Sequence, residues 1–234
     1  MPTAERLAVL NEEIVCCQKC LRLVRHREEV ARIKRRAYRD WTYWGRPVPG
    51  FGDPQAELMI IGLAPAAHGA NRTGRVFTGD RSGEFLYRIL HRCGLANQPT
   101  STNRSDGLAL RNTYVTAAIR CAPPANKPLP EEISNCRPYL EAELDLLRPR
   151  AVLALGRVAF DAYLKMLQER GVTTRRAAYH FVHGASYQLP GCPRLFASYH
   201  PSQQNTQTGR LTPAMFARVL RKILRYLGDK ATKS

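Results

Sequence analysis

The order of apolar and polar positions divides the chain into short apolar runs separated by amphipathic segments. Four runs read as strands: ELMIIGL at 57–63, NTYVTAAI at 112–119, RAVLALG at 150–156 and RLFASYH at 194–200. Helical periodicity marks 3–15, about 20–37, 82–93, 130–148, 156–169 and 212–228. Such alternation predicts an α/β fold of parallel strands covered by helices. Ligands in these sheets bind beyond the carboxyl ends of the strands. Chemistry is therefore expected after residue 63, after 119, at Gly156 and after 199. A chain of 234 residues suffices for one domain. It is read as an N-terminal helical segment (1–54, with a Pro/Gly-punctuated loop and two Trp residues at 41–54), an α/β core (55–228) and a frayed tail (229–234).

Composition narrows the class. With 44% apolar and 24% charged residues the chain reads as soluble and globular. No apolar stretch approaches the roughly 20 residues that span a bilayer. The first residues, MPTAERLAVLNEEIV, carry charges where a signal peptide has an apolar core. A cytoplasmic monomer without a membrane partner is expected. The 36 basic residues exceed the 19 acidic ones, for a net charge of +17, and 29 of them are Arg. The guanidinium fork matches phosphate oxygens and stacks on bases, so nucleic acid is the expected partner; a basic, merely solvated surface is the alternative.

Seven cysteines in such a chain point to metal binding or buried thiols rather than disulfides. Cys17 and Cys20 form a C-x2-C, and Cys121 and Cys136 lie far downstream. Two distant thiolates can complete a four-cysteine site, and spacing alone does not separate zinc from an iron–sulfur cluster. Two unrelated pairs of thiols are the other reading.

Two of the strand-end loops are dense in chemistry. GLAPAAHGANRTGRVFTGD, residues 62–80, is too long for a turn and rich in small residues, as where backbone approaches a ligand closely. It has neither a Walker pattern nor GxGxxG. SYHPSQQNTQTGRLT, residues 198–212, places His200 at a strand end before Pro201, so its ring projects over the edge of the sheet.

Together with CAPP from Cys121, these stretches resemble the uracil-DNA glycosylase superfamily, and within it family 5, the type-B enzymes. The resemblance covers most of the chain, from about Glu12 to the last helix. It implies a single α/β domain with a central four-stranded parallel sheet, and a 4Fe–4S cluster on Cys17, Cys20, Cys121 and Cys136. It also implies an enzyme of base excision repair that removes uracil and other deaminated bases, such as hypoxanthine and xanthine, from double-stranded DNA, with single-stranded DNA as a second expected substrate. A non-catalytic damage-binding module of the same fold is the alternative.

The base must leave the stack before its glycosidic bond is reached. Phe77 is the expected stacking surface, or else a plug tying its loop to the core. The sugar passes through an oxocarbenium-like state. Asp80 is the first choice to steady it and orient water, with capping of the helix near Ser82 as its competing role. Asn126 is a second holder of the water, or a turn residue. His200 and the backbone of Gly62, Leu63, Ala64, Pro65, Ala66 and Ala67 are expected at the base oxygen, with His68 there or at a phosphate. Ala117 and Ala118 stand where several relatives end the second strand with an Asn that reads uracil, which predicts broad base specificity. Lys is absent from 62–83 and 198–212, which predicts monofunctional hydrolysis without a Schiff base. Ser202, Gln203, Gln204 and Asn205 are candidates to fill the gap in the duplex. Arg72, Arg75, Arg81 and Arg210 are candidates for phosphates.

Overall fold

In a computed structural model of the chain, residues 1–172 and 176–231 are described. Four five-residue strands form the centre of the sheet: β2 (Leu58–Gly62), β3 (Thr113–Ala117), β4 (Ala151–Leu155) and β6 (Arg194–Ser198). They lie parallel in the order β3-β2-β4-β6. The sheet is not purely parallel. Two two-residue strands, β1 (Phe51–Gly52) and β5 (Ser186–Tyr187), pair antiparallel with its outer members, so six strands replace the expected four. Two residues carry no readable periodicity, which is why these edges escape a pattern reading.

Burial on both faces explains the unbroken apolar runs. Leu58, Ile60, Val115, Leu153 and Phe196 face one layer, built by α4 (Arg81–Arg92) and α8 (Pro213–Ala231). On α8 the buried residues Phe216, Val219, Leu220, Ile223 and Leu227 recur with the helical period. Met59, Ile61, Tyr114, Val152, Ala154 and Leu195 face the other layer. That layer contains α5 (Pro130–Leu147) and α6 (Arg157–Glu169), with Leu7 of α1 (Thr3–Val15) packed in.

Helix α2 (Leu21–Ile33) stops short of the expected residue 37, because Lys34 takes a left-handed φ of 58°. A 3-10 turn over Arg36–Tyr38 follows. Helix α8 runs past the expected 228 to Ala231, and residues 232–234 of the expected tail lie outside the described residues. Two short helices, α3 (Ala70–Thr73) and α7 (Gln203–Gln207), occupy segments expected to be loop. No helix among the described residues is long and apolar enough to cross a membrane.

One buried polar knot ties β3 to α5. Arg120, just beyond β3, sends both ends of its fork to Glu143, at 3.0 and 2.7 Å. Thr116 donates to the same carboxylate at 2.7 Å and Tyr114 at 3.3 Å, and Arg120 also contacts the Thr116 hydroxyl. Both charges are essentially excluded from water (1% and 0% exposed), so each depends on the other. Glu143→Ala is therefore expected to lower unfolding stability by about 3–5 kcal/mol. Replacing both partners by apolar residues of similar volume should recover much of the loss. Denaturant unfolding measures both, and a single-variant loss below about 1 kcal/mol would show the pair to be dispensable.

Candidate active site

The site lies at the carboxyl end of β2 and β3. A cavity of about 270 Å3 is lined there by Leu63, Ala64, Pro65 and Ala66 of the long segment, by Val76, Phe77, Asp80 and Ser82, and by Ala117, Asn126, His200 and Ser202. That volume is just under the ~300–1,000 Å3 typical of small-molecule pockets and leaves room for one flat base.

Phe77 forms one wall. It takes φ of 51°, the left-handed region that costs a bulky residue roughly 1–3 kcal/mol. Its ring lies across the end of β2, where a Cβ on Gly62 would come within 2.7 Å of Phe77 Cζ. Glycine at 62 is what lets the ring lie there. The ring is only half-buried and packs partly on the core, so wall and plug are both served. His200 faces it, with ring centroids 5.7 Å apart and planes tilted by 32°.

Asp80 both caps a helix and lines the cavity. As N-cap of α4, its Oδ1 accepts from the Gly83 N–H at 2.9 Å. Its Oδ2 reaches over Gly69, where any Cβ would overlap the oxygen. The cap thus fixes a carboxylate that also lines the cavity. Burial raises its pKa, and hydrogen bonds from the Gly83 and Ser82 amides oppose the rise. His200 is moved the other way: burial lowers its pKa to about 4, leaving a neutral imidazole at neutral pH. That ring has no hydrogen-bond partner among the described residues, while the backbone oxygen of His200 accepts from Asn205 Nδ2 at 2.8 Å. Asn126 is exposed, with φ of 56°, at the cavity lip.

The other expected site residues divide. Ser202 lines the cavity and caps α7, whose residues Gln203 and Gln204 are exposed. Asn205 and Arg210 line an adjoining groove of about 480 Å3 that shares Leu63 and His200 with the cavity. There the Arg210 guanidinium lies 4.7 Å from the Tyr199 ring. Ala67 and His68 do not line the cavity; His68 Nδ1 instead meets Tyr43 Oη at 3.0 Å. Arg81 is exposed, 3.7 Å from Glu84.

Arg72 and Arg75 are not available for phosphate. Both are buried, at 4% exposure. Arg72 is held between the rings of Tyr38 and Trp41, at 4.0 and 4.1 Å, and donates to the backbone oxygens of His68 (2.8 Å) and Gly79 (2.7 Å). Arg75 donates to Thr78, Ser101 and Asp106 at 2.7–3.0 Å. Arg reads as surface in a sequence, and nothing in the local pattern marks these two as interior. Val76 and Ser82, which also line the cavity, were not singled out; their adjacency to Phe77 and Asp80 is the only signal.

The four cysteines approach one another. Cys121 and Cys136 are buried with Leu23 and Ile119, Cys20 packs on that group, and Cys17 lies within electrostatic range of Cys121 and Cys136. All are free thiols. Among the described residues no three His, Cys, Asp or Glu side chains are gathered as for a bound metal ion. Burial pushes the Cys121 thiol up to about 12 and the Cys136 thiol up to about 11. Arg27 Nη1 donates to Cys121 Sγ at 3.0 Å, and Asn135 Nδ2 reaches Cys20 Sγ at 3.5 Å.

A sequence model of the uracil DNA glycosylase superfamily matches residues 49–224, which contain the whole cavity. The chain belongs to that superfamily. It is 53% identical over 218 residues to a type-5 uracil-DNA glycosylase of Thermus thermophilus, covering 93% of this chain and 96% of the relative. It is 52% identical over 221 residues to a type-5 enzyme of Mycobacterium leprae, covering 94% and 95%. Identity to a type-4 uracil-DNA glycosylase of Sulfurisphaera tokodaii is 26% over 202 residues, covering 85% and 75%. In this superfamily member the cavity opens at the carboxyl ends of the paired parallel strands β2 and β3.

The raised pKa of Asp80 carries a stability consequence. Its ionised form is penalised in the folded chain, so its contribution to stability is complete below the ordinary carboxylate pKa and is lost as pH rises through the folded value. Asp80→Asn preserves a good cap while removing the charge. The variant is expected to unfold at a higher temperature than wild type at pH 7, with the gap closing in acid. A lower melting temperature at pH 7, measured by calorimetry, would contradict this account of the carboxylate.

Proposed function

We propose that the chain is a monofunctional uracil-DNA glycosylase of broad base specificity, hydrolysing the bond between a deaminated base and deoxyribose C1′. What carries the reading is the meeting of Phe77, Asp80 and His200 around one base-sized cavity. The flipped base stacks on Phe77, an interaction worth ~1–3 kcal/mol for any base. As the C1′–N bond lengthens, positive charge grows on the sugar and the bonding electron pair passes to the base. The Asp80 carboxylate steadies the sugar and takes a proton from the attacking water, a task favoured by its raised basicity. Neutral His200 donates a hydrogen bond to the base oxygen that gathers the negative charge.

Specificity follows from the strand end. Ala117 presents only a methyl group to the cavity, so no paired amide donor and acceptor at that position reads the base edge. Mispaired bases leave the stack at lower cost, which selects U·G and similar pairs without contact. The cavity lining contains no Lys, which supports hydrolysis over a Schiff base. The DNA partner is supported by the net charge of +17.

For the cysteines the proposal is a structural 4Fe–4S cluster on Cys17, Cys20, Cys121 and Cys136. The donor set fits: four free thiols, three of them in one apolar cluster and Cys17 within electrostatic range, with the buried Arg27 guanidinium donating to Cys121 Sγ. When bound, the cluster would cross-link the turn between α1 and α2, helix α5 and the segment after β3.

Alkali cleavage of uracil, hypoxanthine and xanthine duplexes tests the activity. Strand breaks are expected only after alkali, and Asp80→Asn should abolish them while leaving duplex binding intact. Binding without any cleavage by wild type would favour a non-catalytic damage sensor. A uracil rate more than about 10³-fold above hypoxanthine would refute broad specificity, and a borohydride-trapped adduct would refute monofunctional hydrolysis.

The pH profile of kcat/KM is a separate test. Activity is expected to rise as Asp80 ionises, above the ordinary carboxylate range, with no loss from imidazole deprotonation between about pH 5 and 8. A fall across that interval would require a charged His200. For the cluster, a brown preparation that bleaches with oxidant is expected, and a colourless zinc protein would overturn it.

A further inference from the structure

Among the described residues four arginines are almost wholly buried: Arg27, Arg72, Arg75 and Arg120. A buried guanidinium stays charged and needs compensation. Arg120 has Glu143, Arg75 has Asp106, and Arg72 lies between two aromatic rings. Arg27 has no such partner. It is 3% exposed, and its Nε finds no acceptor. Its Nη1 donates to the Cys17 carbonyl at 3.2 Å and to Cys121 Sγ at 3.0 Å. The one carboxylate within ion-pair distance among the described residues is Glu28, at 3.7 Å with 58% of its side chain exposed to water. A solvated carboxylate at that range compensates a buried cation poorly. Neutral thiols do so no better.

We infer that Arg27 is the counter-charge of the group held by the four cysteines and sets its reduction potential. The inference rests on the iron–sulfur reading above. Four thiolates around a cubane core leave a net negative charge, and reduction adds to it. A guanidinium hydrogen-bonded to one ligating sulfur stabilises the reduced, more negative state and so raises the potential. The nearby Arg22 is not free for this task, since it is paired with Glu132 at 2.7 Å. Arg27 also stands next to the substrate-binding segment, because its backbone carbonyl accepts from Asn71 Nδ2 at 3.2 Å. That bond belongs to the main chain, so side-chain substitutions at 27 leave it in place.

The test is redox titration of the purified, full-length protein, followed by visible absorbance and electron paramagnetic resonance. Arg27→Met is expected to bind iron and sulfide as wild type does but to shift the midpoint potential downward. Arg27→Lys, which keeps the charge without the fork, should recover most of the shift. Arg27→Gln, which keeps a donor for the sulfur without the charge, should shift the midpoint downward as Arg27→Met does, and it decides the matter if Arg27→Met does not fold. A loaded Arg27→Met or Arg27→Gln with the wild-type midpoint overturns the inference alone. An iron-free, colourless wild type removes the cluster reading, and the inference with it.

Discussion

A nineteen-residue segment at a strand end has too few neighbours along the chain to hold one shape, and everything at the cavity depends on its holding one. The restraint is supplied from below by two guanidinium groups. Arg72 joins the start of the segment to its end through the backbone oxygens of His68 and Gly79, and the rings of Tyr38 and Trp41 pack against it. Arg75 fastens the same segment to Ser101 and Asp106 across the fold. Hydrogen bonds to buried charged groups are worth roughly 1.5–3 kcal/mol each, enough together to hold Phe77 in a backbone conformation it would not choose.

This frame places the polar groups of the cavity without spending them. Asp80 uses one oxygen to start a helix and keeps the other beside Gly69. His200 is fixed through its backbone by Asn205, which leaves its ring nitrogens unused. Burial then separates the two titrations, raising the acid and lowering the base. A carboxylate and a neutral imidazole therefore stand within one cavity, with no salt bridge between them to neutralise either.

The central strands and long helices were legible because each is five residues or longer and its apolar pattern is fully buried. The edge strands were not, since pairing, and not pattern, creates a two-residue strand. At the site, Phe77, Asp80, Asn126, His200 and Ser202 were found in the sequence and share the cavity. Arg72 and Arg75 were misread for a physical reason. Charge predicts surface, and only the folded chain reveals the carbonyls, rings and carboxylate that make an interior guanidinium tolerable. Its position in the motif puts His68 at the cavity or at a phosphate, yet Tyr43, twenty-five residues upstream, meets its ring instead.

The overlap between the Phe77 ring and the space above Gly62 has a bearing on how this site can change. Neither position is free by itself: a side chain at 62 evicts the ring, and a smaller residue at 77 leaves a hole above a glycine. The two act as a single heritable unit. Libraries that vary either one alone will keep returning the parent, and a new base preference built on this wall has to arrive as a double step.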